Sequence, residues 1–204
     1  SGIGAAVSIE LSKFAKHIYI VARNIKKLEE VYDKIIKNDC ECTIVPLDLC
    51  EENGIENLAS QILKKDQFLD ILILSSGRTD QLSPVDSIDT LKLNNIINLN
   101  YLSNFRLIKS MHPLLKNSKD SRVALISSFK GKNKEQYWGI FQPIMTALNE
   151  LIMTYAIENK NTNIKVSVFC PEAVNTKSRA IMFPGENKNN ISSTEEIAIK
   201  IINY

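Results

Sequence analysis

Long apolar runs, an excess of one charge and a dense set of cysteines are all missing from this sequence of 204 residues. No stretch approaches the ~18 consecutive apolar residues that a helix needs to cross a bilayer. The most apolar region, residues 144–157, is broken by Thr146, Asn149, Glu150 and Thr154, so no membrane partner is expected. The 25 Lys and Arg stand against 23 Asp and Glu for a net charge of +2. With both signs intermixed there is no basic field to track a phosphate backbone, and nucleic acid is not an expected partner. Only four cysteines occur, Cys40, Cys42, Cys50 and Cys170, too few and too irregularly spaced for a disulfide-stapled secreted module. The Cys40-Glu41-Cys42 spacing differs from the two-residue gap typical of zinc sites. His17 and His112 have no Cys or carboxylate at ligand spacing. The expectation is reduced, buried thiols in a cytoplasmic protein with no metal site. The sequence opens at Ser1 without a charged segment followed by an apolar one, so a signal peptide is not expected either.

What is present is globular: 44% hydrophobic and 24% charged residues suit one α/β domain spanning residues 1–204. Ile3, Val7, Leu11 and Phe14 fall on one face of an opening helix. Residues 17–23, rich in β-branched and aromatic side chains, predict a strand. Leu28, Val31, Tyr32 and Ile35 give residues 26–37 the stripe of an amphipathic helix. The alternation then repeats: strand 42–47, helix 51–64, and a run at 68–74 of the kind found in fully buried parallel strands. Residues 91–115 read as one long helix stopped near Pro113, 122–126 as a strand, 137–158 as a helix and 164–169 as a strand. Pro143 suits a first turn, so the regular part of the 137–158 helix is expected to begin near Phe141. This order implies a Rossmann-type doubly wound parallel sheet with helices on both faces. Residues 78–89 and 176–193 lack clear periodicity and follow strands, where ligand loops of such sheets lie.

Ser1-Gly2-Ile3-Gly4, at the mouth of a helix, is either a phosphate-cradling turn or an ordinary glycine-bearing helix start. Later segments decide, because their order and spacing resemble the short-chain dehydrogenase/reductase family. Gly2 and Gly4 resemble the last two glycines of its coenzyme turn, around Ile3. Asp48-Leu49, at the end of a strand, looks like the segment whose acidic residue contacts adenine. Leu74-Ser75-Ser76-Gly77 stands where the family has Asn-Asn-Ala-Gly and keeps Gly77. Asn100 aligns with the mid-helix Asn of the catalytic tetrad, Ser128 with the catalytic serine, and Pro171 to Thr176 with a Pro-Gly-x-x-x-Thr motif. Tyr137-Trp138-Gly139-Ile140-Phe141 and Phe183-Pro184-Gly185-Glu186 are similar to a bacterial subgroup of uncharacterised oxidoreductases. The resemblance implies carbonyl/alcohol hydride transfer on a small molecule with NAD(P), and a homo-oligomer formed through the two long helices. It also implies that the family's first strand, which lies between its second and fourth, is absent, and that the C-terminal end is cut short.

The catalytic pattern fails at two positions. The family's proton-donating Tyr falls at Phe141, and its Lys, one helical turn on, falls at Met145. Phe has no proton to give and Met no charge with which to tune one, so catalysis is expected to be impaired. Were the helix already formed at Tyr137, its hydroxyl would lie ~6 Å along the axis from the vacated position, beyond the ~3 Å reach of proton transfer. Glu172 replaces the glycine after Pro171. Arg23, at the end of a strand where an Asp would bind a ribose 2′-hydroxyl, suits a 2′-phosphate, so NADP is expected over NAD, with binding weak or lost. The alternatives are a non-catalytic nucleotide-binding or oligomer-scaffold protein, or a decaying remnant.

Overall fold

β-Branched runs alternate with amphipathic stripes along the chain. The computed structural model, which describes residues 2–127 and 135–203, turns them into parallel strands and covering helices. The chain divides into two compact units, Ser1–Glu51 with Ala173–Tyr204, and Glu52–Glu172.

In the first unit, helix α1 (Ile3–Leu11) leads to strand β1 (His17–Ala22), helix α2 (Ile25–Ile35) and strand β2 (Glu41–Pro46). β1 and β2 pair in parallel from His17↔Glu41 to Ala22↔Pro46. α2 starts at Asn24, whose side chain accepts the Lys27 N–H at 3.0 Å, and so satisfies one of the donors that a helix start leaves unpaired. Its Leu28 and Ile35 bury against Ile20 of β1 and Cys40, each aliphatic side chain contributing ~1.5–3 kcal/mol. α1 stops at Leu11, before the predicted stripe reaches Phe14, and Phe14 is 76% exposed.

The second unit runs through α3 (Gly54–Lys65), β3 (Ile71–Leu74), α4 (Thr90–Ile97), α5 (Ser103–Asn117), β4 (Ser121–Ile126), α6 (Gln142–Glu158) and β5 (Ile164–Phe169). Its sheet has the order β3-β4-β5, all parallel. α5 packs on β3 and β4, α6 on β5, and α3 on α5. Asn163 ties the strand entries together: its amide donates to the carbonyls of Leu115 at 2.9 Å and Ser118 at 2.7 Å, while its own carbonyl accepts the Ser121 N–H. The chain then returns to the first unit as α7 (Lys177–Met182) and α8 (Thr194–Ile202), the latter packed on α1.

Four expectations need correction. The helix predicted over residues 91–115 is interrupted by a π-helical turn, Asn98–Leu102, and does not stop at Pro113, which lies inside α5. Leu114 and Leu115 beyond it are fully buried, and that burial offsets the ~3 kcal/mol an interior proline costs. The 68–74 run is not a fully buried strand: only Ile71–Leu74 is extended, and Phe68 and Ile71 are exposed. The 176–193 stretch holds α7, whose cap Thr176 accepts the Arg179 N–H. α8 was not predicted, although Ser193 and Glu196 make the reciprocal capping box that announces it. Among the described residues, β1 pairs only with β2 and β3 only with β4.

Tyr155, on the buried face of α6, donates or accepts a 2.8 Å hydrogen bond with His112 Nδ1, the rings meeting edge to face. Burial, with a smaller push from Glu158, raises its hydroxyl to about 12. The native state therefore keeps a proton that the unfolded chain releases near pH 10. The stability this gives is complete below pH 10 and declines as pH rises towards 12. Urea unfolding between pH 9 and 12 should show this decline in the native chain and a shallower one in Tyr155→Phe.

Candidate functional site

Of the predicted coenzyme residues, Gly2, Ile3, Gly4, Arg23, Asp48, Leu49 and Thr176 fall in the first unit and Gly77 in the second. Gly2 is the N-cap of α1 with φ +69°, a conformation that disfavours any side chain, and it offers the helix start no side-chain acceptor. α2, α4, α7 and α8 each have one, from Asn24, Asp89, Thr176 and Ser193. Among the described residues no side chain caps α1, as none caps α3 or α6. A Cβ on Gly2 would come within 3.9 Å of the Thr176 methyl, so the motif after β5 lies beside the glycine turn. Arg23 Nη1 stands 3.5 Å from Asp48 Oδ2 with most of its side chain exposed. Asp48 Oδ1 accepts the Cys50 N–H at 3.0 Å, and Leu49 beside it is buried.

The second unit holds the predicted catalytic positions, except that Ser128 lies outside the described residues. Asn100 sits in the π-helical turn and is 1% exposed. Its Oδ1 accepts the Arg78 N–H and its Nδ2 donates to the Arg78 carbonyl, both at 2.9 Å. The amide thereby clamps the backbone next to Gly77, where a Cβ would meet Asn100 Oδ1 at 3.6 Å. Asn100 Nδ2 also lies 3.8 Å from Met145 Sδ, and its carbonyl accepts from Asn104 Nδ2 at 2.7 Å. Phe141 and Met145 are each 6% exposed. Phe141 caps α6, its ring 6.2 Å from that of Trp138. Ser127, which ends β4, donates its N–H to the Phe169 carbonyl, and its buried hydroxyl has no partner among the described residues.

Tyr137 differs from the helical geometry considered for it. α6 begins at Gln142, and Tyr137 lies before it with φ +71°, a left-handed conformation that costs a non-glycine residue ~1–2 kcal/mol. Its carbonyl accepts the Ser83 N–H at 3.2 Å. Burial, then the neighbouring Cys40, pushes the Cys42 thiol to about 11, and burial raises Cys40 too. Both favour the protonated form, which is the poorer metal ligand. His17 is held by the Thr43 hydroxyl at 2.8 Å.

The short chain dehydrogenase profile matches residues 1–187. The chain belongs to the short-chain dehydrogenase family. Its relatives include a fatty acyl-CoA reductase of Acinetobacter baylyi, 30% identical over 129 residues, covering 63% of this chain and 44% of that protein. The uncharacterized oxidoreductase YciK of Escherichia coli is 22% identical over 199 residues, covering 96% of this chain and 79% of the relative. A solved structure of yciK from E. coli superposes with a TM-score of 0.90 over 98% of this chain and 84% of that one, at 21% identity. A metagenomic short-chain oxidoreductase in complex with NADP gives 0.84 at 23% identity, over 100% and 85% of the two chains. The chain spans about half the length of the first curated relatives it matches. These likenesses place the fold among α/β short-chain dehydrogenases.

A coenzyme fits one part of the described residues better than the other. In the first unit, α1 has no side-chain cap among the described residues and Arg23 is mostly exposed. Met145 offers nothing to a ribose hydroxyl, because its thioether is only a weak acceptor. The clamp on Arg78 is testable without any ligand. Asn100→Ala removes both partners of the Arg78 peptide and should cost about 1–3 kcal/mol in urea unfolding, with faster hydrogen exchange at the Arg78 amide.

Proposed function

We propose that this member of the family binds a dinucleotide, NADP in preference to NAD, and carries out little or no hydride transfer. In this reading residues 1–204 act as one domain of a cytoplasmic oxidoreductase lineage whose substrates were small carbonyl/alcohol pairs. The observation that carries it is the pair Phe141 and Met145, buried where a phenol and an ammonium are needed, with Met145 Sδ against Asn100. The coenzyme, when bound, would supply the hydride. Asn100 orients the 77–78 turn, Ser128 polarises a substrate carbonyl, and no side chain at 141 delivers the proton. A positioned acid typically contributes ~10²- to 10⁴-fold, and here the group that would tune it is gone as well.

NADP preference rests on Arg23, which is exposed and only loosely held by Asp48 at 3.5 Å; it is supported by the relative solved with NADP. A scaffold role is favoured by one further feature. α5 and α6 carry the exposed apolar side chains Phe105, Met153 and Ile157, which suit a homo-oligomeric contact.

NADPH titration followed by nicotinamide fluorescence should show weak binding and still weaker binding of NADH; micromolar affinity for NADH with none for NADPH would overturn the preference. Reductase assays over an aldehyde and ketone panel should show no turnover. Phe141→Tyr alone should add little, since a phenol of pKa ~10 without a nearby cation is a poor relay at neutral pH. Phe141→Tyr with Met145→Lys should gain more than the sum of the two, as groups acting as one unit do. Turnover by the native chain that survives Ser128→Ala would place the chemistry elsewhere.

A further inference from the structure

The segment that follows β5 returns to its own start. Asn175 donates its N–H to the Ser192 carbonyl at 2.9 Å, and Ser192 donates its own to the Ala173 carbonyl at 3.2 Å, which makes a parallel bridge between Val174 and Ser192. Val174 is buried at this base. Ser193, directly beyond it, caps α8, and α8 packs on α1. Residues 175–191 are therefore a strap with joined ends, a closed surface loop tied to the body of the first unit.

Inside the strap the sequence directs a second closure. α7 ends at Met182, and Phe183 after it has φ −133° and ψ 71°, because a residue that precedes a proline is driven out of the helical region. Pro184 and Gly185 then suit the two central positions of a β-turn, which the Glu186 N–H closes on the Phe183 carbonyl at 3.2 Å. The reversal brings Glu186 back to Arg179. Glu186 Oε2 accepts from Arg179 Nε at 2.7 Å and Oε1 from Nη2 at 2.6 Å. The guanidinium also lies 3.9 Å over the centre of the Phe183 ring, and each of the two charged side chains is only 26% exposed. The backbone of Arg179 is held as well: its N–H goes to the Thr176 hydroxyl and its carbonyl accepts the Phe183 N–H at 2.8 Å. A planar fork that meets a carboxylate with two donors while stacked on a ring is a geometry that a lysine cannot reproduce.

We propose that Arg179, Phe183 and Glu186 form a latch that holds the 175–191 strap closed on itself without any ligand, and that breaking the Arg179–Glu186 pair opens the strap about its Val174–Ser192 base. No coenzyme or substrate enters this inference, and it stands or falls independently of the dinucleotide-binding reading. The two closures differ in kind. The base is backbone hydrogen bonding beside a buried valine, whereas the latch is a charged side-chain pair that water and salt reach first. Local opening follows the weaker tie, so the latch yields while the base persists. A ligand that engages this segment meets a strap already closed, and does not bear the entropy of ordering it.

The test is amide hydrogen exchange on the full chain, without ligand and with NADPH. The Ala180, Phe183 and Glu186 amides report the strap, and the Asn175 and Ser192 amides report its base. The variants are Glu186→Gln, Arg179→Lys, the charge-exchanged pair Arg179→Glu with Glu186→Arg, and Lys188→Ala as an exposed control within the strap; thermal melts establish that each folds. In the native chain the strap amides should be protected without ligand, and NADPH should change that protection by less than about twofold. Glu186→Gln and Arg179→Lys should each speed strap exchange by about fivefold or more and leave the base within about twofold of native. The exchanged pair should recover part of the lost protection, and Lys188→Ala should match the native chain. Strap amides that exchange like an unfolded peptide until NADPH is added would overturn the latch. So would single variants whose strap exchange stays within about twofold of native, or loss of strap and base protection together in a variant that melts like the native chain.

Discussion

Strand β4 is hydrogen-bonded on both edges, and its register decides where the second unit's functional segments leave the sheet. Leu74 pairs with Leu125 and Ile126 with Phe169, so the chain exits β3, β4 and β5 at one level, just beyond these pairs. In a parallel sheet all carboxyl ends share an edge. Gly77, Ser127 and Cys170 follow from that alignment before any side chain makes a contact. A slip of one residue would reverse the faces of every β4 side chain, exchanging Val123 and Leu125 with the smaller Ala124, which is buried on the opposite face.

Near this edge stand Asn100, buried and hydrogen-bonded to the Arg78 peptide, and the buried apolar side chains Phe141 and Met145. Asn100 retains its place through the Arg78 clamp, which needs only an amide. The π-helical turn that carries it is a distortion often found at functional positions. Phe141 and Met145 convert two polar positions into packing, and Met, unbranched and adaptable, occupies the path of a lysine stem without supplying its charge.

Most elements were legible because their signals are local. The 17–23 strand and the 26–37 helix rest on composition and stripe, and Pro143 marked the start of α6 correctly. The π-helical turn was not legible, because the buried face passes through Asn100, Ser103 and Asn104, polar residues that an apolar-periodicity reading skips. Pro113 misled for the opposite reason: the local rule was sound, but burial of Leu114 and Leu115 outweighed it. Phe14 continued the spacing of α1 beyond the helix itself. α8 was readable in Ser193-Thr194-Glu195-Glu196 as a capping box and was missed. Gly2, Arg23 and Asp48 stood out as coenzyme residues through motif spacing.

Gly139 couples two segments that the sequence keeps apart. A Cβ at this position would stand 2.7 Å from Val85 Cγ2 and 3.2 Å from Ile88 Cδ1, so the 85–88 turn is seated directly on backbone at the entrance to α6. A side chain at position 139 would therefore have to displace Val85 and Ile88, so the clearance between the 85–88 turn and the entrance to α6 is set by the absence of a Cβ there.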